Sequence, residues 1–139
     1  LHTRLRDHWG TGAIGSRARL NVERALSLAK VSGMKVKLDK EGFIRVDGAV
    51  SVNVRRPDEA GETRKAAAIP PEEFDEAVRL VVADAIVITE EELLVAVRNV
   101  FGWGRRGADI QTALQRSLLR SVKKGYCVRR PDGSYETTQ

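Results

Sequence analysis

Aromatic residues make up only 5% of this 139-residue chain, so leucine, valine, isoleucine and alanine must fill its core. A single cysteine, Cys127, excludes an internal disulfide framework and a cysteine-rich zinc site. The two histidines, His2 and His8, lie at one end with no cysteine or carboxylate at ligand spacing. No apolar run approaches the ~18 residues that a membrane span requires. No charged-then-apolar leader opens the chain. What is present is charge: 24 Lys and Arg against 19 Asp and Glu, a net +5. That excess favours a polyanionic partner such as nucleic acid. The length suits one ordinary domain or two small ones, with roughly two-thirds of the unfolded surface buried on folding. The chain begins Leu1-His2-Thr3 without an initiator methionine, and we expect it to be a piece of something longer.

The second half carries the clearest signals. Ile69-Pro70-Pro71-Glu72-Glu73 reads as a helix start, with Pro71 in the first turn and two carboxylates at the positive end of the dipole. Phe74, Ala77, Val78, Val81 and Val82 follow at helical spacing, to about Ala85. A second helix opens at Thr89, whose spacing to Glu92 is that of a capping box. Its stripe is Leu93, Leu94, Val97 and Val100, and Gly102 ends it near Phe101. The run Glu90-Glu91-Glu92 reads as cap and dipole complement rather than as an acid/base or metal cluster. A third helix runs from about Ala108 to Lys124, with Ile110, Ala113, Leu114, Leu118 and Val122 inward. Two short extended runs around Pro131-Asp132-Gly133 read as a β-hairpin. Three helices and a hairpin give the order of a winged helix.

The first half repeats the second at an offset of 92. Gly10, Gly12 and Gly15 fall on Gly102, Gly104 and Gly107, and Trp9 falls on Phe101. Val22, Arg24, Leu26 and Gly33 fall on Leu114, Arg116, Leu118 and Gly125. In this scheme Gly10 and Gly102 end helices in the left-handed region, and Gly15 and Gly107 let the next helix start close to its neighbour. The aromatic before the first glycine plugs the helical core. A second strand–turn–strand wing follows over Met34–Leu38, Asp39–Gly42 and Phe43–Val46, with a possible third strand over Val50–Val54. The predicted class is mainly α with small β-hairpins (α+β), built as tandem winged-helix units. Residues 1–55 form a unit truncated at its N-terminus, 56–68 a linker, and 69–139 a complete unit. By the offset, Leu1 falls inside the first unit's second helix, so its first helix is missing. The first helix of the second unit, a neighbouring chain in a homodimer built through the N-terminal end, or a changed packing is expected to cover the gap.

The segments 69–73, 93–101 and 102–110, the basic helix after them, and His8-Trp9-Gly10 with Gly15-Ser16-Arg17 resemble a known pattern. It is that of the C-terminal region of large bacterial helicase-like proteins, which join superfamily-one ATPase motifs to a nuclease domain like the very-short-patch repair endonucleases. The resemblance covers most of the chain and is most specific over residues 69–125. It implies a cytoplasmic bacterial protein acting on DNA, in repair, restriction or defence, with other domains of its parent protein as partners. The parent's own chemistry is absent here: there is no Gly-x-x-x-x-Gly-Lys-Ser/Thr loop and no nuclease carboxylate–lysine cluster.

Nothing in the chain by itself calls for catalysis, a cofactor or a metal. Gly10–Gly15 and Gly102–Gly107 match G-x-G-x-x-G, but each follows a helix, whereas a dinucleotide site needs a strand before it. Cys127 has no base near it in sequence and reads as a small filler. The helix starts after the glycine turns have free N–H groups able to hold a phosphate oxygen of a DNA backbone. For nucleic-acid binding the candidates are Arg105 and Arg106 at the start of the third helix, then Gln111, Gln115, Arg116, Arg120 and Lys123 on its outer face, and Arg129 and Arg130 on the wing. In the first unit they are Arg17, Arg19, Arg24 and Lys30, with Lys35, Lys37 and Lys40 on the wing. Duplex DNA without catalysis is one reading. Protein–protein or interdomain docking on the same faces is the other, because Leu20, Leu28 and Leu119 lie on or beside those helices and Asp109 repels phosphate.

Overall fold

The structure is a computed structural model that describes residues 16–48 and 51–138, the side chains of Ala18 and Arg19 excepted. It is α+β: among the described residues, four α-helices and two small antiparallel sheets. The chain divides into two compact units, residues 1–51 and 52–139. No helix among the described residues is long and apolar enough to cross a membrane. The expectations that fall on residues 1–15 (the first glycine turn, Trp9, His2, His8 and the truncation) lie outside the described residues, as do Ala49 and Val50.

In the first unit, helix α1 (Ser16–Val31) leads into strands β1 (Val36–Leu38) and β2 (Ile44–Val46). The strands pair in the register Val36↔Val46, Lys37↔Arg45 and Leu38↔Ile44. Asp39 shapes their turn, its Oδ1 accepting the N–H groups of Glu41 and Phe43. Gly42 takes φ +81°, which a side chain would resist. An offset of 92 carries α1 onto the fourth helix over its whole described length. The hairpins correspond at 91: Asp39 N–H to Phe43 O matches Arg130 N–H to Ser134 O, and Gly42 N–H to Asp39 O matches Gly133 N–H to Arg130 O. The third strand expected over 50–54 does not form at 51–54. Val54 instead packs against the core of the second unit.

The second unit opens with residues 52–65 and a short 3-10 turn, Ala66–Ala68, before helix α2 (Pro71–Ala85). Then come β3 (Val87–Ile88), α3 (Glu90–Val100), α4 (Ala108–Lys123), β4 (Cys127–Arg129) and β5 (Tyr135–Thr137). As the spacing predicts, Pro71 starts α2 and Thr89 closes a reciprocal capping box with Glu92. Gly102 at φ +74° and Gly125 at φ +74° follow the ends of α3 and α4. Strand β3 is an element that the periodicity misses, being only two residues long. It pairs Val87↔Glu136 and Ile88↔Tyr135, giving the order β3-β5-β4. Ile86, between α2 and β3, sits at φ 65°, ψ −55°, and is 65% exposed. For a β-branched residue this is strained backbone. It is held there by Ile86 N–H to Val82 O and Thr137 N–H to Ile86 O, both at 2.9–3.0 Å.

The core lies among α2, α3 and α4. Phe74, Val78, Val82, Leu93, Val97, Leu114 and Leu118 are buried in it. Three of the seven aromatics, Phe74, Phe101 and Trp103, meet here. Phe101 does plug the helical core, with ring centroids 5.2 Å from Phe74 and 5.1 Å from Trp103. Such pairs add about 0.5–1.5 kcal/mol each beyond their area. Val122, expected inward, is exposed, whereas Ser117 and Ser121 are fully buried and let α2 approach α4 closely.

Residues 56–68, expected as a linker, form a strap bound to the second unit. Glu73, 2% exposed, accepts hydrogen bonds from Arg55 (backbone N–H at 2.9 Å, Nη2 at 2.7 Å) and Arg64 (Nη2 at 2.6 Å). The Trp103 indole N–H donates to Arg64 O at 2.8 Å. Pro57 and Thr63 lie over Gly102, where a Cβ would come within 2.4 Å of Pro57 Cγ. Sequence alone shows proline, glycine and dense charge here. The buried acceptor that organises them is 18 residues from Arg55, beyond the reach of a local pattern.

Candidate nucleic-acid interface

Helix α4 presents its inward face to α2 and α3, and that fixes what remains outside. Leu114, Ser117, Leu118 and Ser121 are buried. Thr112, Arg116, Leu119 and Lys123 recur at spacings of four and three, and all are exposed. Gln115 is exposed beside them. Of the cations foreseen for this face, Arg116 and Lys123 therefore stand on it, with Arg105 exposed on the preceding turn. None of these three forms an ion pair with another described residue.

Arg120 does not belong to the outward set. Its Nε and Nη2 donate to the Asp75 carboxylate at 2.9–3.1 Å, and Lys124 Nζ and Ser117 Oγ reach the same carboxylate at 2.9 and 2.8 Å. Asp75 is 1% exposed. Burial pushes its carboxyl up, but the bonds from Arg120, Lys124 and Ser117 outweigh that and hold it below the usual range. The same pairing raises the Lys124 ammonium. A buried carboxylate needs such partners, and α2 places Asp75 over the flank of α4 that carries Arg120. A signal was available in the sequence: Asp75 interrupts an apolar stripe between Phe74 and Ala77.

Gln111 also leaves the outward face. With Glu90, Glu91, Leu94, Val95, Arg98 and Arg106 it lines a cleft of about 300 Å³ between α3 and α4. Three of the foreseen arginines lie near carboxylates: Arg106 at 3.5 Å from Glu91, Arg129 at 3.5 Å from Glu90, and Arg130 at 3.5 Å from Glu136. These pairs are exposed and long, so each contributes little and is readily exchanged for another anion. The N-terminus of α4 is less open to phosphate than the glycine turn suggests. Gly107, its N-cap, has φ −101°, and its missing Cβ faces the Asp109 carboxylate rather than a neighbouring backbone. Nothing around Gly104 calls for a glycine.

In the first unit, Arg17 and Arg24 are exposed on α1, and Leu20 and Leu28 alternate with them. The side chain of Arg19 lies outside the described residues. Lys37 pairs with Asp47 at 3.1 Å. Cys127 is 1% exposed, and burial pushes its thiol up, away from the thiolate that nucleophilic chemistry needs. Among the described residues no group of His, Cys, Asp or Glu could hold a metal ion.

No family model, no curated protein and no solved structure matches this chain. The likeness to the helicase-linked region therefore rests on the sequence motifs alone.

Proposed function

We propose that the second unit is a winged-helix module that binds double-stranded DNA through α4, without catalysis of its own. The order helix–strand–helix–helix–strand–strand, with β3 paired to β5, supports that reading. The observation that carries it is the outward row of α4, where Arg116 and Lys123 stand exposed and, among the described residues, unpaired, while Arg120 and Lys124 are tied to Asp75. Free cations on one helix face neutralise phosphates, which dominates affinity and makes it salt-dependent. The first unit repeats the helix and hairpin, and Arg24 stands where Arg116 stands, so the reading extends to it. In a larger helicase- or nuclease-like protein, such a module would hold DNA for chemistry done elsewhere.

The test is a titration of duplex and single-stranded DNA at two salt concentrations, with the double variant Arg116→Ala/Lys123→Ala. Both residues are exposed, so the fold should survive. Losing two phosphate contacts should make the salt slope shallower by about 1.8. No binding even at low salt would remove the reading. A second reading, docking of a protein on this unit, is favoured by exposed apolar side chains. Leu119 on α4 is one, and Val87 and Val128 on either side of Glu136 in the sheet are others.

A further inference from the structure

The exposed arc of α4 has two chemically different sets of side chains. Arg116 and Lys123 lie seven residues apart in one row. Beside them the face carries no charge: Leu119, which shares the row of Arg116 and Lys123, leads at spacings of four and three to Gln115 and Val122. Leu119 is 75% exposed, the most exposed large apolar side chain of the second unit. Of the nearby carboxylates, Asp75 is buried in the core, while Glu90 and Glu91 line the cleft that Gln111, one turn before Gln115, also lines. A phosphate has nothing to offer a leucine. A duplex does, in its major groove, where the thymine 5-methyl is the one apolar group among hydrogen-bonding base edges.

From this we infer that Gln115 and Leu119 are the specificity-determining residues of α4, and that they select A·T pairs. The inference rests on the reading of α4 as a duplex-facing helix. Gln115 pairs through its amide with the N6 and N7 edge of adenine. Leu119, four residues on, lies about 6 Å further along the helix axis, close to two base-pair steps. It covers a thymine methyl there. Arg116 and Lys123, before and after Leu119 in its row, hold the phosphates and set the register. Affinity thus comes from one set and base choice from the other.

The experiment compares the full chain on two duplexes at about 50 mM salt. One alternates adenine and thymine; the other has deoxyuridine in place of thymidine and so lacks only the 5-methyl groups. Wild type should bind the thymine duplex about fourfold more tightly for each methyl that Leu119 covers. Leu119→Ala should bind both duplexes and lose the difference, and 5-bromodeoxyuridine, whose bromine replaces the methyl, should restore it for wild type. Equal wild-type affinity for the two duplexes would overturn the inference while leaving α4 as a DNA-binding helix. A Leu119→Ala variant that keeps the full thymine preference would overturn it too, and would leave Leu119 to a protein partner. Failure of wild type to bind either duplex would overturn both this inference and the reading beneath it.

Discussion

Replacing Arg120 with alanine separates an arginine that faces DNA from one that anchors the core. Arg120 supplies three contacts of 2.9–3.1 Å to a carboxylate that is 1% exposed. Without it, Asp75 keeps only Lys124 and Ser117. Breaking a buried pair from one side costs about 3–5 kcal/mol. Lys124 remains and the arginine itself is about one-third exposed, so the low end applies, about 3 kcal/mol. In a unit of this size that corresponds to a Tm lowered by about 12–24 °C. Arg116→Ala, on the outward face, should stay within about 0.5 kcal/mol of wild type. The effect also has a pH signature. Asp75 is held below its ordinary 3.8, so its contribution is complete above that value and is lost as pH falls through the folded pKa. Urea titrations followed by circular dichroism should therefore show a wide gap between wild type and Arg120→Ala at neutral pH, narrowing below about pH 4. An Arg120→Ala variant as stable as wild type but unable to bind duplex would return Arg120 to the groove and refute the assignment.

Two further outcomes follow from backbone geometry. Gly102→Ala should destabilise the second unit by about 2 kcal/mol or more in urea, because it adds left-handed strain to a clash with Pro57 and Thr63. Gly104→Ala, with open space around it, should be close to neutral, and equal costs at the two sites would show that the strap is not seated on Gly102. Ile86→Gly should stabilise by about 1 kcal/mol, since relief of about 1–3 kcal/mol of strain exceeds the added flexibility of glycine. A lower Tm for that variant would mean that the exposed isoleucine contributes packing worth more than its strain.

Local chemistry made much of this fold legible. Pro71, the Thr89–Glu92 box and Gly102 act within four residues of the helix ends they define, and those ends fall where the sequence puts them. The hairpin turns were legible for the same reason. What escaped was set by contacts across the chain. Strand β3 is too short to show alternation and exists because β5 pairs with it. Glu73 reads as a dipole complement until Arg55 and Arg64 converge on it. Arg120 and Gln111 look like surface residues by composition, and only the placement of α2 and α3 decides that one is tied to Asp75 and the other lines a cleft. The outer row of α4 was half legible: the cations were found, but helical spacing alone could not tell which of them α2 would claim.

The repeat helps to separate structural cations from the rest. Helices α1 and α4 share their described length, and their hairpins share one turn geometry, so local folding is common to both copies. Burial is not. The inward set of α4, Leu114, Ser117, Leu118 and Ser121, rests against other helices, whereas its counterparts Val22, Ala25, Leu26 and Ala29 are half-buried or exposed. The cations behave accordingly. Arg120 is tied to Asp75, whereas its counterpart in α1 is Leu28, an exposed residue. Arg116 forms no ion pair with another described residue, yet its counterpart is again an arginine, Arg24, and again exposed. A charge that packing among the described residues does not need, present at the same station of both helices, supports the proposed reading. On that reading, a polyanion met on the outer face of either helix would account for both arginines.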